Sequence, residues 1–406
     1  MLKDHCKINT NFDSDVFVGL QCTNNNYEIH FPLGFHCEDD EDGLRNDILL
    51  LFSVLANNTE REESVGDLFL ESENKTDVPL SSYLYVIRDF LTRGYYKEYF
   101  VEYSHSKKGK INWNRTIKSV KPVIQENDVY YLSFLTKRTT INENDLITLI
   151  HQYCVYRSYK VIGWLFTEFI PAKPTIAFNR EWFSSILLNK LSKTFNDRDK
   201  MLFSSLLKIV NQEPDNGLES LNFSFGTSRF EYVWERMIDK VFGEKNKSFY
   251  FPKTEWNLLD GTNYENSYLE PDTIMVYDND VYILDAKYYK YGLTKKAAHL
   301  PETSSINKQI TYGEFIDYDD KFKAVHGKNM KVYNAFIMPF DSQAKYWKAA
   351  VRKHIGKATA DWKKTCKEYE TVHGILYDVK HLMQLSESKN SKEIMEMAKL
   401  IMEHSK

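Results

Sequence analysis

The stretch Glu270-Pro271-Asp272-Thr273-Ile274-Met275-Val276-Tyr277-Asp278-Asn279-Asp280-Val281-Tyr282-Ile283-Leu284-Asp285-Ala286-Lys287-Tyr288 decides how the chain reads. Two runs rich in β-branched and aromatic residues flank Asp278-Asn279-Asp280, which is a hairpin signal. A two-residue loop at Asp278-Asn279 sets Tyr277 opposite Asp280 and Asp272 opposite Asp285. A three-residue loop shifts the partner of Asp272 only to Ala286. Strand side chains alternate, so Asp285 and Lys287 share a face with Val281 and Ile283. Two carboxylates and an ammonium therefore converge on an otherwise apolar surface. Such a cluster is costly unless something binds it. A divalent cation is the natural neutraliser, and Mg2+ takes oxygen ligands, commonly one or two carboxylates with waters and substrate phosphates.

The spacing resembles the PD-(D/E)xK nuclease pattern: Pro271-Asp272, twelve residues, then Asp285-Ala286-Lys287. Phosphodiester hydrolysis needs an activated water and stabilisation of the charge that develops on phosphorus. A metal at Asp272 and Asp285 supplies Lewis acidity and lowers the pKa of bound water, and Lys287 orients the water or stabilises charge. Mn2+ is expected to substitute for Mg2+. An upstream helical acid usually completes such sites. The segment Phe230 to Ile238 offers Glu231 and Glu235, one turn apart on one helix face. Downstream, Lys308-Gln309-Ile310-Thr311-Tyr312 begins a helix, with Lys308, Gln309 and Tyr312 as candidate contacts to DNA or water. A solvent-exposed hairpin with salt-bridged charges, or a catalytically dead nuclease fold, are the competing explanations of the same residues.

The rest of the chain sets limits on this reading. With 406 residues, 42% apolar and 27% charged, it is neither fibrous nor disordered and is long enough for two or three domains. The five cysteines are scattered without a CxxC pair, which supports neither a disulfide framework nor a zinc ribbon. No secretory h-region opens the chain, and the longest apolar run, Ile48 to Ala56, is too short for a bilayer span. A reduced, cytoplasmic protein with no membrane partner is expected. Net charge is −4 but unevenly spread: residues 1–100 carry −11 and residues 321–406 carry +8. The basic end suits nucleic acid, the acidic end protein or solvent.

Apolar spacing predicts helices over Asp42–Ala56, Tyr83–Tyr99, Asp145–Ser158, Glu181–Phe195 and Asp197–Gln212, and a strand over Val129–Leu135. Phe169 to Pro174 breaks the pattern, and Pro214 to Gly217 is a turn cluster. The expected division is an α+β N-terminal domain over 1–170 for partner docking, a helical connector over 171–215, and a nuclease domain over 216–406 with a central mixed sheet flanked by helices. Gly109 to Trp113, with Arg115, reads equally as a phosphate-contacting loop or as a solvated basic turn with a buried Trp. His151 and Cys154 lie one helical turn apart without a second pair, so a core position is favoured over metal. Lys345 to Lys367, with Trp347 and Trp362, reads as a solvated helix face, the less favoured option being a face that tracks DNA. Gly356-Lys357-Ala358-Thr359 is not a P-loop, so no nucleotide is expected on this chain.

At these residues the chain resembles the LlaJI-type restriction endonucleases, relatives of the McrC nuclease subunit. The resemblance covers most of the chain. It includes Gly109 to Ile117, His151 to Val155, Phe230 to Glu235 and Ser305 to Tyr312 alongside the hairpin, and Ile111-Asn112-Trp113 and Val233-Trp234-Glu235 narrow it. It implies a Mg2+-dependent, site-specific deoxyribonuclease of bacterial phage defence, acting on double-stranded DNA, with its N-terminal domain docked on a separately encoded McrB-like AAA+ GTPase. That agrees with the missing P-loop and the acidic N-terminal third. The match to a Phe-Glu-x-x-Val/Trp helix favours Glu231 over Glu235 as the metal-facing acid. Related nucleases often hold three residues between their Gln and Tyr, whereas Gln309 and Tyr312 have two between them. A RecB-like repair nuclease, or a non-catalytic regulator of a partner GTPase, are the alternatives.

Overall fold

The computed structural model describes residues 2–12, 15–23, 26–59, 76–77, 79–106, 108–126, 128–141, 145–167, 169–213, 223–347 and 350–405. The chain divides into two compact units, one of Met1–Lys75 with Asn222–Lys406, the other of Thr76–Leu221.

The first unit opens with strands β1 (Cys6–Ile8), β2 (Val18–Thr23) and β3 (Asn26–Phe31), followed by helix α1 (Glu41–Thr59). The second unit then holds β4 (Thr76–Asp77), α2 (Leu80–Arg93), β5 (Tyr99–His105), β6 (Lys110–Ile111), α3 (Trp113–Ser119), β7 (Val123–Gln125), β8 (Asp128–Tyr130), β9 (Leu135–Ile141), α4 (Leu146–Ile162), α5 (Arg180–Lys193) and α6 (Asp197–Gln212). Its β5, β9 and β6 form one antiparallel sheet, β7 and β8 a separate hairpin, and α2, α4, α5 and α6 pack together. His151 and Cys154 are fully buried in this helical core, with His151 Nδ1 accepting the Tyr96 backbone N–H at 2.8 Å, as a packing role requires.

The chain returns to the first unit with β10 (Phe223–Thr227), which pairs antiparallel with β2. Gly226 faces Gly19 across that pair, and a Cβ on Gly19 would fall 2.1 Å from the Phe225 carbonyl oxygen, so only glycine allows the approach. There follow α7 (Phe230–Phe242), the short β11 (Glu255–Asn257) and β12 (Asn263–Glu265), β13 (Thr273–Tyr277), β14 (Asp280–Ala286), α8 (Tyr291–Thr294), α9 (Thr303–Tyr318), α10 (Asp320–His326), β15 (Val332–Phe340), β16 (Arg352–Thr359), β17 (Thr371–Asp378), α11 (Val379–Leu385) and α12 (Ser391–Ser405).

The central sheet runs β13-β14-β15-β17-β16, with β14, β15 and β17 parallel and both edge strands antiparallel. Parallel strands covered on both sides read as continuous apolar runs, and β15 is buried along its whole length. On one face Ile274, Val281, Ile283, Phe336, Met338 and Leu376 pack with Ile310, Tyr312 and Ile316 of α9 and Phe322 of α10. On the other, α7 and α12 lie over β13, and α7 also over β14. Mixed sheet flanked by helices is therefore observed.

Several expectations need correction. The expected boundaries near 170 and 215 do not follow the compact units: β1, β2, β3 and α1 belong with the central-sheet unit, while α5 and α6 pack on α2 and α4 rather than acting as a connector. The helix expected to Tyr99 stops at Arg93, because Gly94 adopts a φ of +72° and donates its N–H to Phe90 O at 2.8 Å. Val129 to Leu135 is split between β8 and β9. Lys345 to Lys367 is not a helix; turns lead into β16, with Trp347 buried and Trp362 exposed. Trp113, expected buried if the basic segment were a simple turn, is exposed at the start of α3, which Asn112 caps through its side-chain oxygen and the Arg115 N–H. The expected turn at Pro214 to Gly217 lies outside the described residues.

Candidate active site

The hairpin adopts the register of a two-residue loop: Tyr277 pairs with Asp280 and Thr273 with Leu284. Asp278 and Asn279 both have positive φ, +49° and +73°, as the mirror-image turn demands. One step past the last pair, Asp272 Oδ2 accepts the Ala286 backbone N–H at 2.9 Å. Lys287 Nζ lies 2.6 Å from Asp285 Oδ2, and the Lys287 N–H extends the ladder to Ile337 O at 2.9 Å. Asp285 is 3% exposed. The two carboxylates and the lysine thus meet at the C-terminal edge of the parallel strands, where open α/β sheets present their ligands.

Their charges act strongly on one another. Burial, then the Asp285 carboxylate, then Glu235 push the Asp272 carboxyl up to about 7. Burial followed by Asp285 raises Glu235 as well. Burial pulls the Lys287 ammonium down, but Asp285 beside it outweighs that and holds the group above its ordinary value. Three acids share one lysine, and burial with like charge is the pairing that marks reactive sites.

Of the two acids on the upstream helix, the structure brings Glu235 under the influence of the Asp272–Asp285 pair. Glu235 is the α7 carboxylate whose charge reaches Asp272. Glu231, one turn earlier, is half-buried and sits 3.4 Å from Arg229 Nε. Trp234 is fully buried and donates its indole N–H to Ile337 O at 3.1 Å, which pins α7 against the strand beside β14. Both glutamates fit the helical spacing; only the packing of α7 separates them.

Helix α9 lies against the site and begins at Thr303, ahead of the expected start at Lys308. Tyr312 is fully buried and donates its hydroxyl to Glu270 O at 2.9 Å, so it holds the turn that carries Asp272. Gln309 is 1% exposed, and neither its Nε2 nor its Oε1 has a hydrogen-bond partner. Lys308 is exposed, its Nζ 5.6 Å from the Tyr312 ring centre. Lys247 escaped the sequence reading: its Nζ donates to Asp272 O at 2.9 Å and pairs with Asp239 at 3.1 Å. Its only sequence signal is a lysine in the loop after the acidic helix, which is too common to single out.

Among the described residues, no three His, Cys, Asp or Glu side chains are gathered at metal-holding distance. The donor chemistry nevertheless suits a hard divalent cation: oxygen ligands, an excess of acid over base, and a carboxyl whose raised pKa a cation would reverse. The orphaned amide of Gln309 is a further polar group that a bound species or its water would satisfy.

The chain belongs to the LlaJI restriction endonuclease family, whose model matches residues 17–354. That match spans both compact units. Among individual proteins, the chain is similar to the type II restriction enzyme BsuMI component YdjA of Bacillus subtilis (strain 168), 27% identical over 353 residues, covering 82% of this chain and 74% of that one. It also aligns over 95% of its length with 83% of a chain in the assembly of Thermococcus gammatolerans McrB AAA+ hexamers with bound McrC, at 15% identity and a TM-score of 0.37, too low to assign a fold.

Proposed function

We propose that this chain is the DNA-cutting subunit of a bacterial restriction system, a Mg2+-dependent endonuclease of PD-(D/E)xK type. The observation that carries the reading is the meeting of Asp272 and Asp285 beside Lys287 at one sheet edge. Asp272, Asp285 and Glu235 would hold the cation, with Glu231 outside that group. A Mg2+ ion there supplies Lewis acidity and a bound water of lowered pKa, and Mn2+ would substitute on the same oxygen donors. The Lys287 ammonium orients the attacking water and stabilises negative charge as it develops on the phosphate. Asp272 first sheds its proton to become a ligand, so metal-dependent cutting rises with pH through about 7. Exposed Lys308 contacts duplex DNA, and the buried amide of Gln309 bonds water within the site.

The partner we infer is a separately encoded McrB-like AAA+ GTPase that selects and translocates DNA. Two features support it. Gly356-Lys357-Ala358-Thr359 lies on β16 rather than before a helix, so it cannot cradle phosphates as a P-loop does. The similar Bacillus protein is named as one component of its restriction enzyme. The test is plasmid cleavage by the purified chain with Mg2+, wild type beside Asp285→Ala, with and without the neighbouring GTPase and GTP. Cutting by wild type only with the partner and GTP supports the whole reading. Cutting by the chain alone removes the GTP-gated partner. Cutting by Asp285→Ala protein would sink the hairpin as the active site.

A further inference from the structure

The segment between Lys287 and α9 is basic and aromatic: Tyr288-Tyr289-Lys290-Tyr291-Gly292-Leu293-Thr294-Lys295-Lys296-Ala297-Ala298-His299. It leaves the site at the end of β14, directly after Lys287, and delivers the chain to the helix that carries Gln309 and Tyr312. It is also fixed in place. A Cβ on Gly292 would fall 2.0 Å from Pro339 O, so α8 sits directly on the C-terminal end of β15. The Gly292 carbonyl accepts the indole N–H of buried Trp347 at 2.5 Å, and Tyr288 Oη accepts the Leu33 N–H at 2.6 Å.

Among the described residues, Lys290 and Lys295 contact neutral groups. Lys290 Nζ lies 4.0 Å over the Phe12 ring. Lys295 donates to Tyr346 O at 2.9 Å and lies 4.3 Å over the Trp347 ring. Lys295 also adopts a φ of +54°, a conformation that costs a non-glycine residue and persists where surroundings enforce it. Lys296 is exposed. Among the described residues, none of the three pairs with a carboxylate, whereas Lys380, Lys389 and Lys247 of the same unit all do. Cations beside a phosphodiester-cutting site, without carboxylates to neutralise them, are complementary to a polyphosphate backbone.

We propose that Lys290, Lys295 and Lys296 form a phosphate-binding rim that seats duplex DNA across the Asp272–Asp285 pair, independently of base sequence. The inference rests on the nuclease reading above. Its test is binding of short fluorescent duplexes of unrelated sequence to the full chain over a salt series, with Ca2+ in place of Mg2+. Each lysine lost from a phosphate contact lowers the slope of log affinity against log salt by about 0.9. Lys290→Ala/Lys296→Ala protein should therefore lose about 2 from that slope and bind every duplex more weakly to the same degree. Lys296→Arg should retain the wild-type slope, and Lys392→Ala, on α12, should leave it unchanged. If wild-type protein binds and cuts DNA but the double variant keeps the full slope, the rim is overturned while the nuclease reading stands. If wild-type protein neither binds nor cuts DNA, alone or with the GTPase, both fall together.

Discussion

Two buried carboxylate clusters, one in each unit, are solved in opposite ways. In the second unit Asp89 is 4% exposed and meets two guanidiniums: Arg93 Nη2 at 2.8 Å on Oδ2, and Arg198 Nε at 2.9 Å on Oδ1. Arg93 is tied in turn to Asp199 at 2.8 Å. Both oxygens of the buried acid are answered, and two acids balance two bases. In the first unit three acids, Asp272, Asp285 and Glu235, gather about Lys287, the nearby Lys247 being paired with Asp239, and the Asp272 carboxyl rises to about 7. A buried ion pair closed on itself serves the fold. A cluster left with surplus negative charge, beside an amide that bonds nothing, is set up for something that arrives later.

Breaking each cluster should therefore give different failures. Asp272→Ala or Asp285→Ala should lower metal-dependent DNA cleavage by about 10³-fold or more, since several kcal/mol of charge stabilisation are removed and each 1.4 kcal/mol is tenfold. Circular dichroism and melting should stay near wild type, because removing one acid relieves repulsion. Asp89→Ala should do the reverse, costing about 2 kcal/mol of stability in denaturant titrations while cutting per folded molecule is kept. That figure sits below the range for fully buried pairs because both arginines are partly exposed. Equal stability losses at both clusters would remove the distinction.

Lys287→Met separates the structural from the chemical role of the one base. It leaves Asp285 buried without its partner, so the metal-free protein should lose about 2–3 kcal/mol. Added Mg2+ should restore much of that in a thermal melt, and cleavage should not return. A melt unaffected by the substitution would mean that Asp285 is solvated and not committed to a cation.

The pH dependence sharpens the comparison further. Because the Asp272 carboxyl is raised, the folded metal-free protein holds a proton that the unfolded chain releases at a carboxylate's ordinary pKa near 4. Folded protein binds more protons in that window, so this group's contribution to stability falls as pH climbs from about 4 to about 7. Mg2+ should consequently stabilise the protein more at pH 8 than at pH 5, and Asp272→Asn should flatten the difference. The Asp89 cluster, already neutralised by arginines, should not respond to Mg2+. A Mg2+ shift in melting that is independent of pH would count against Asp272 as a ligand.

What was legible in the sequence follows the range over which each feature is determined. The hairpin itself could be read because its turn residues and a period of two place it within sixteen residues; its register was open between two loop lengths, and Tyr277 opposite Asp280 is what the strands adopt. Helix α6, Asp197–Gln212, could be read to its ends because Asn196 caps its first turn and the apolar spacing is regular. The membership of β1 to β3 in the same unit as the site could not, because it depends on pairings such as Gly19 with Gly226 across two hundred residues. Which of Glu231 and Glu235 lies nearer the hairpin acids could not be read, since both share a helix face and the side facing the sheet is set by Trp234 packing below Ile337. Strand β16, with Arg352, Lys353 and Lys357, is not legible as a strand because charge spacing says little about a half-exposed edge strand.

The smallest expected effect tests the idea of a site left open. Gln309 is buried with both amide atoms unpaired, a condition that costs the metal-free fold about 1–3 kcal/mol relative to a satisfied or apolar group. Gln309→Met nearly conserves volume and removes the orphaned atoms, so stability should rise by about 1 kcal/mol in urea titrations. DNA cleavage should fall at the same time, because the amide finds its partner only when substrate or metal-bound water is present. Stability and activity moving in opposite directions at one residue is what a functional site predicts, and what the closed cluster at Asp89 would not show. Were both to fall together, Gln309 would be a packing residue of α9, and the open character of the site would rest on the three acids alone.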